Sequence, residues 1–154
     1  MQQKNFLSPI GFQFNLAEAP NMNYTVQAVS IPGLELGSIQ SPTPFVKIPL
    51  PGNLSYDEFK VTFKVTETMD EYLEIFKWMT SLGHPDYLEQ FKYKESDAIL
   101  TILNSSKRPS IECKFTDAFP VALSPLEFDA TIPDIQYVTV TASFRFLRFT
   151  YNIL

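Results

Sequence analysis

Apolar and polar residues alternate with a period of two over much of the chain, which is typical of β-strands that bury one face. The clearest case covers residues 58–67, where Phe59, Val61 and Phe63 lie on one side and lysine and threonine residues on the other. Further segments predicted as strands are residues 11–16, 24–31, 98–103, 111–115 and 135–151. In the last of these the phase breaks at Arg148, which predicts a β-bulge or a change of environment there.

One segment changes to the period of a helix. Residues 69–82 predict an amphipathic helix. Its apolar stripe comprises Tyr72, Ile75, Phe76 and Met79. Thr68 and Glu71 have the spacing of a capping box at its start, and Gly83, before a His-Pro pair, predicts its end. Trp78 lies off the stripe, so that packing at the edge of the core and a contact with another subunit are both open for it.

A proline-rich stretch, residues 32–52, interrupts the strand pattern. Its prolines are Pro32, Pro42, Pro44, Pro49 and Pro51. Because proline removes a donor from a strand ladder, we expect a long, partly paired arm with extended pieces at residues 34–39 and 45–48. Such a long connection inside a domain is usually functional, which makes the arm a candidate contact element. Residues 117–133 hold three more prolines, and we expect only short extended pieces there.

The pattern as a whole predicts one domain over residues 1–154, mainly β, with about seven strands and one α-helix. An antiparallel β-sandwich or open barrel, with the helix packed on one side and a long extended arm, satisfies it. The sequence contains no internal repeat and no low-complexity linker.

Composition supports a folded domain and narrows the classes of partner. Hydrophobic residues make up 45% of the chain and charged residues 19%, which is enough apolar material for a core. The net charge of -5 argues against gripping nucleic acid by its phosphates, but not against a surface past which nucleic acid slides. A single cysteine excludes an intrachain disulfide, and no segment approaches the ~20 apolar residues of a membrane span. We therefore expect a protein of a reducing cytosol without membrane insertion.

Residues that could support catalysis or bind a metal are scarce. His84 is the only histidine, and we interpret it as a polar residue at a helix end. Cys113 lies in an alternating strand, and we interpret it as a small core residue. An acidic group comprises Glu67, Asp70, Glu71 and Glu74. Helix capping and a solvated face explain it, with convergent carboxylates for glycoside hydrolysis as the alternative. We expect no enzyme, no cofactor and no metal site.

Two predicted strands carry polar faces of mostly small side chains. These faces comprise Thr62, Lys64 and Thr66 on one strand, and Thr139, Thr141 and Ser143 on the other. Plain solvent exposure is one interpretation, and the wall of a channel inside a ring is the other. Lys60, Lys64 and Arg145 add positive charge, which neighbouring carboxylates could neutralise. A partly paired arm and free sheet edges suit ring closure, because unpaired edges recruit strands from neighbours.

Six stretches, taken in order along the chain, resemble a known family. They are residues 8–14, 30–34, 47–52, 56–65, 115–124 and 137–146, together with the helix that contains Tyr72 and Trp78. In order and spacing they are similar to the strands, arm and helix of the tail tube proteins of contractile-tailed bacteriophages. The resemblance covers nearly the whole chain.

This resemblance implies a structural subunit that forms hexameric rings, which stack into a tube whose channel passes DNA without binding it specifically. It implies as partners further copies of the chain, the tail sheath, and baseplate or initiator proteins, in a virion tail assembled in the cytoplasm of a bacterial host. Expected contacts between subunits and rings are Pro32, Gly33, Leu34, Phe45, Lys47, Ile48, Pro49 and Pro51. The lumen candidates are Thr62, Lys64, Thr139, Thr141 and Ser143.

Two other functions remain open. A tube-initiator, baseplate-junction or terminator ring of the same fold would occur once per tail, so copy number separates it from the bulk tube protein. A small β-sandwich module that binds sugars or peptides would stay monomeric and show a saturable ligand.

Overall fold

A computed structural model describes residues 5–83 and 96–154 of the chain. The strands are β1 Phe12–Leu16, β2 Val26–Val29, β3 Leu34–Ser41, β4 Ile48–Tyr56, β5 Phe59–Lys64, β6 Ser96–Leu103, β7 Pro109–Leu123, β8 Thr139–Arg145 and β9 Arg148–Ile153. The helices are α1 Met22–Thr25 and α2 Asp70–Gly83. His84 and the rest of residues 84–95 lie outside the described residues, so the expectation for His84 is not examined further.

The long strand β7 connects two antiparallel sheets. Strands follow the order β1-β6-β7-β8-β5-β2, and β9 also pairs with β7. From Ile111 to Thr116 β7 lies between β6 and β9, whereas from Phe119 to Leu123 it pairs with β8. Asp117, between these parts, has a positive φ of 56°. A strand that changes sheets at such an irregularity forms the corner of a β-sandwich.

The two sheets enclose a core rich in phenylalanine. Phe59 on β5 stacks on Phe115 of β7 at 4.5 Å between ring centroids and on Phe144 of β8 at 5.0 Å. Phe14 on β1 approaches the same ring at 6.4 Å. Because Phe14 and Phe59 come from different sheets, these contacts show that the sheets pack face to face. The predicted fold class, a mainly β antiparallel sandwich with a packed helix and an extended arm, is confirmed.

Helix α2 packs on the core along most of the predicted stripe. Its buried residues are Glu71, Ile75 and Trp78, and Tyr72 and Met79 are partly buried against the core, whereas Phe76 is 47% exposed. Trp78 packs near Phe144, at 6.1 Å between ring centroids, so its position belongs to the core. The predicted stripe is therefore confirmed except at Phe76, and the buried face is turned toward Trp78 and a hydrogen-bonded carboxylate.

That carboxylate belongs to Glu71, which we expected on a solvated face or in a capping box with Thr68. Its Oε2 instead accepts hydrogen bonds from the backbone N–H of Thr66 at 3.2 Å and from the Thr66 hydroxyl at 3.1 Å. Thr68 donates to Asp70 at 2.9 Å. Buried carboxylates need such donors, so Glu71 ties the end of β5 to the start of α2.

A second carboxylate on α2 joins the two helices. Glu74 Oε1 accepts a hydrogen bond from Asn21 Nδ2 at 2.7 Å, and Oε2 accepts one from the Asn21 backbone N–H at 3.3 Å. Partial burial raises the pKa of the Glu74 carboxyl, although these hydrogen bonds act in the opposite direction. Of the four acidic residues grouped in the sequence, Glu71 and Glu74 thus have long-range or buried structural roles, and Asp70 accepts the local hydrogen bond from Thr68.

Several predicted strand boundaries were wrong. Tyr24 and Thr25, predicted as strand, form the short helix α1. β7 continues through Pro120 to Leu123, where only short pieces were expected. The predicted strand over residues 135–151 is divided into β8 and β9 at Phe146–Leu147, which accounts for the break in its alternation. In each case tertiary pairing, which a local pattern does not contain, decides the outcome.

Candidate assembly surfaces

The predicted arm is a β-hairpin that projects from the sandwich. Strands β3 and β4 pair with each other and form a sheet of their own. At its base the backbone N–H of Asp57 donates to the carbonyl of Gly33 at 3.0 Å, and the Tyr56 ring packs on Phe146 at 5.2 Å. The hairpin ends at Tyr56, four positions beyond the expected limit of residue 52, and its prolines do not prevent the pairing.

All but one of the predicted contact residues in the arm are exposed. The exposed ones are Gly33, Leu34, Phe45, Lys47, Ile48, Pro49 and Pro51, and Pro32 is half-buried. Phe45 lies at the tip with 96% of its surface exposed, outside any strand, so that the extended piece expected at residues 45–48 is limited to Ile48. Exposed apolar side chains in such a group mark interaction surfaces.

A β-bulge lies half-way along the hairpin. The register shifts between Leu36 and Ser38, because β4 uses one more residue than β3 between the pairs Leu36–Leu54 and Ser38–Pro51. A Cβ at Gly52 would lie 2.8 Å from the carbonyl oxygen of Gly37. Glycine is therefore required at position 52 by the close approach of the two backbones.

Gly52→Ala is expected to destabilise the hairpin locally by about 1–3 kcal/mol, because the new methyl group forces the backbones apart. Amide exchange in residues 48–56 should accelerate, while the melting temperature of the sandwich stays the same, since the hairpin strands pair only with each other. Gly83→Ala is the matched control, because a Cβ there meets no atom within 4 Å. Equal exchange in the two variants would contradict the requirement for glycine.

The five predicted lumen residues lie on one face of the β5–β8 pair. The register places Thr62 opposite Thr141 and Lys64 opposite Thr139, with Ser143 opposite Lys60. The hydroxyls of Thr62 and Thr141 are 3.1 Å apart and hydrogen-bonded. Ser143 is buried, with 8% of its surface exposed, so the face that is open to solvent is narrower than the sequence suggested.

The positive charges on this face are partly compensated. Arg145 forms an ion pair with Glu58 at 3.3 Å, and the ammonium group of Lys64 lies 5.2 Å from the centre of the Tyr137 ring. Within residues 5–83 and 96–154, no carboxylate forms an ion pair with Lys60. Arg145 is exposed and Glu58 is about one-third exposed, so the pair contributes little to stability and mainly sets local charge.

Sequence reasoning missed further exposed apolar groups. Phe128 and Ile135 are exposed in the connection between β7 and β8, and Tyr151 and Ile153 are exposed on β9. In that connection the Asp129 carboxylate accepts two hydrogen bonds from Thr131, which lower its pKa. Phe128 lies in a stretch interrupted by prolines, where apolar residues carry no period. Ile135 and Tyr151 lie within the segment predicted as one strand, and alternation alone does not show that a strand face stays uncovered.

The described residues that could support catalysis or bind a metal do not come together. Among the described residues no group of three or more His, Cys, Asp or Glu side chains could hold a metal ion. Cys113 is a buried core residue, as predicted, and burial raises the pKa of its thiol. No helix in the described part of the chain is long and apolar enough to cross a membrane.

Cys113 is expected to react with a thiol reagent such as Ellman's reagent only when the sandwich opens. The reacting species is the thiolate, and burial both disfavours it and blocks access. The native protein should therefore label far more slowly than the protein in denaturant, with a rate that follows the unfolding equilibrium. Rapid labelling under native conditions would contradict the burial of Cys113.

Comparison with known proteins gives matches in structure alone. No protein-family model matches the sequence, and no curated protein matches it. A chain in the cryo-EM structure of the anti-feeding prophage cap, the tube-terminating cap, matches with a TM-score of 0.76 at 13% identity, covering 100% of this chain and 95% of that one. A chain in the PVC sheath/tube terminator of an extracellular contractile injection system matches with a TM-score of 0.74 at 16% identity, covering 97% and 98%.

A third similar structure extends this group. Hcp1 from Flavobacterium johnsoniae matches with a TM-score of 0.54 at 18% identity, covering 91% of this chain and 93% of that one. The chain therefore has the fold of the tube and terminator proteins of contractile injection systems. The resemblance to contractile-tail tube proteins, predicted from the sequence, is confirmed at the level of the fold.

Proposed function

We propose that this chain is a non-enzymatic structural subunit that forms rings, stacked into the tube of a phage-type contractile tail. The observation that carries the proposal is the projecting hairpin Leu34–Tyr56, whose apolar side chains are exposed although the sandwich has a complete core of its own. A domain that exposes this much apolar surface on an arm needs partners to cover it. Chains of the same fold come from tube and terminator assemblies, and so support a second copy as the partner.

The polar face of β5 and β8 is proposed as the wall of the channel. Thr62, Thr141 and Thr139 present small, wettable groups, and Glu58 forms an ion pair with Arg145. Lys60 and Lys64 keep their positive charge, because the Tyr137 ring contacts the Lys64 ammonium group without neutralising it. Hydroxyl groups do not hold phosphates whereas lysines attract them, so a wall that lets DNA pass requires carboxylates of neighbouring copies to offset Lys60 and Lys64. The same proposal includes six copies in each ring, and a sheath and a baseplate as partners. It places the assembled tube in a virion tail that is built in a bacterial cytoplasm.

Negative-stain electron microscopy of the purified protein at increasing concentration tests this function. We expect hollow tubes or stacked rings with six-fold symmetry. A protein that stays monomeric at every concentration and binds a sugar or peptide saturably would overturn the proposal in favour of the binding module.

A terminator ring of the same fold is the second candidate. Two of the similar chains come from a tube-terminating cap and from a sheath/tube terminator, with TM-scores of 0.76 and 0.74. Single rings that never stack would favour the terminator, and one ring per purified particle would exclude the bulk tube protein.

A further inference from the structure

Strand β1 lies at one end of the strand order and turns a row of backbone groups away from its sheet. The carbonyl of Gly11 accepts a hydrogen bond from the N–H of Leu103 on β6 at 2.9 Å. Backbone groups along an antiparallel strand face its two sides alternately. The N–H and C=O groups of Phe12, Phe14 and Leu16 therefore face away from β6 and form the outward row of β1.

A side chain already pairs with one end of this outward row. Asn23 Oδ1 accepts a hydrogen bond from the Leu16 N–H at 2.9 Å, and Asn23 Nδ2 donates to the Leu16 carbonyl at 3.2 Å. A carboxamide has the same kind of donor and acceptor as a peptide group. Asn23 thus takes the place that a residue of an added strand would occupy, and it marks where such a strand must end.

The rest of the outward row is open. Within residues 5–83 and 96–154, no hydrogen bond reaches the outward N–H and C=O groups of Phe12 and Phe14. These two residues are spaced about 7 Å apart along the strand, as are the alternate residues of an added strand. Unpaired groups at the edge of a sheet are a template for an extended chain.

A groove of about 860 Å³ lies beside this edge. Tyr24, Val26 and Gln27, from α1 and β2, form its far wall, and Tyr24 is 89% exposed. Gln13 and Phe14 also line the groove, although neighbouring side chains of a strand point to opposite faces. The groove is therefore open around the edge of β1, in the plane where an added strand would lie.

The described residues that line the groove carry no charge. They combine apolar side chains with four carboxamides, those of Gln13, Asn15, Asn23 and Gln27. A charged side chain entering this groove would lose hydration without gaining an ionic partner, and that costs free energy. The lining therefore selects against charged segments and favours an uncharged one.

A second copy of this chain supplies no suitable segment among its described residues. Its connections of six or more residues are 5–11, 42–47 and 124–138. Each of them contains proline, which lacks the N–H that a strand ladder needs, and the last also carries three carboxylates. Strands that already belong to a sheet fit poorly as well, because their neighbouring strands would meet the far wall of the groove.

We propose that β1 docks one extended, uncharged segment of a different protein, which pairs with Phe12 and Phe14 and ends at Asn23. Main-chain hydrogen bonds supply the affinity, and the groove lined by carboxamides supplies the preference for uncharged side chains. This inference does not depend on ring assembly, because it uses neither the arm nor the polar face of β5 and β8.

Hydrogen exchange at single-residue level, with a strand-forming probe, tests the docking. The probe is the peptide acetyl-Thr-Val-Thr-Val-Thr-amide at up to millimolar concentration, added to the full-length protein below the concentration at which it assembles. We expect exchange of the Phe12 and Phe14 amides to slow several-fold. The amides of Gln13 and Asn15 already face β6, so their exchange should stay the same.

Two altered peptides are the controls for this probe. One has proline at its central position and therefore lacks a ladder donor, and the other has glutamate in place of each threonine. Neither should protect Phe12 or Phe14. Equal protection by the proline peptide, or no protection by the probe at millimolar concentration, would overturn β1 as a docking edge. Equal protection by the glutamate peptide would overturn the preference for an uncharged segment.

A pair of tyrosine variants tests the far wall of the groove. Tyr24→Ala should reduce the affinity for the probe several-fold, because its ring lines the groove. Tyr151→Ala is the matched control, since Tyr151 is 70% exposed on β9, and its affinity should equal that of the wild type. Both side chains are largely exposed, so both variants should keep the wild-type melting temperature. Equal affinities of the two variants would contradict the groove as the binding site.

A second copy as the occupant gives a different result. Protection of Phe12 and Phe14 that rises with protein concentration in the absence of peptide would overturn a separate partner. Electron microscopy of the same protein at high concentration tests the ring function independently. Tubes without a response of β1 to the probe would overturn this inference alone, and a peptide-binding monomer that never assembles would overturn the ring function alone.

Discussion

Replacing Phe59 with alanine is expected to destabilise the sandwich by about 3–5 kcal/mol, because the side chain is fully buried and the cavity it leaves is only partly refilled. Its ring lies within 6.4 Å of the rings of Phe14, Phe115, Phe144 and Phe146, measured between centroids. These residues come from both sheets, so the cavity opens between the layers and neither sheet can close it alone.

Chemical denaturation followed by tryptophan fluorescence measures this effect, because Trp78 packs near Phe144 beside the same cavity. A loss of this size lowers the melting temperature of a domain of this length by roughly 10 °C. Phe76→Ala is the matched control: Phe76 is 47% exposed on α2, and its substitution should cost far less. Similar losses for both variants would mean that the core is not centred on Phe59.

Replacing residues 35–55 by Asn-Gly is expected to abolish assembly and leave a folded monomer. Leu34 and Tyr56 are paired at the base of the hairpin, so a two-residue turn can join them without moving the sandwich. The replacement removes the exposed apolar side chains between these two positions but keeps the Tyr56–Phe146 contact. Circular dichroism and melting temperature should match the wild type, whereas light scattering and electron microscopy should detect no tubes.

The control for this variant keeps the arm and changes its polar side. Glu35→Gln in the full-length chain removes one charge from β3 and leaves every apolar side chain in place. It should form tubes as the wild type does. Normal tubes from the shortened variant would contradict the arm as the assembly element, and a shortened variant that unfolds would show that the hairpin supports the sandwich.

The features of this fold that depend on a regular alternation of apolar and polar residues could be predicted from the sequence. Alternation in β5 predicted the burial of Phe59, Val61 and Phe63, all of which are fully buried. The break of phase near Arg148 predicted an irregularity at the place where β8 ends and β9 begins, although a β-bulge or a change of environment within one strand was expected. These inferences succeed because burial of one strand face is a local, repeating property.

Other parts depend on contacts between distant segments. The burial of Trp78 and Glu71 follows from how α2 lies against the sandwich and from the hydrogen bonds of Thr66. The proline-rich arm pairs because both of its strands are edge strands of a two-stranded sheet. Pro49 and Pro51 each lack a backbone N–H, and at an edge that missing hydrogen-bond donor costs little. The register of the two strands is not visible in the local pattern. The predicted roles of the arm and lumen residues remain predictions. The structure adds that the arm residues lie on or beside one hairpin, and that the lumen residues share one face of the β5–β8 pair.

The position of β7 has a mechanical consequence. Because one continuous strand is hydrogen-bonded into both sheets, from Ile111 to Leu123, a load applied to either layer reaches the other through covalent backbone and not only through side-chain packing. Separation of the two sheets would require the backbone hydrogen bonds of β7 with β6, β8 or β9 to break together, because the load runs parallel to the strand. The domain should therefore yield as one unit under tension, without a weaker layer that peels away first.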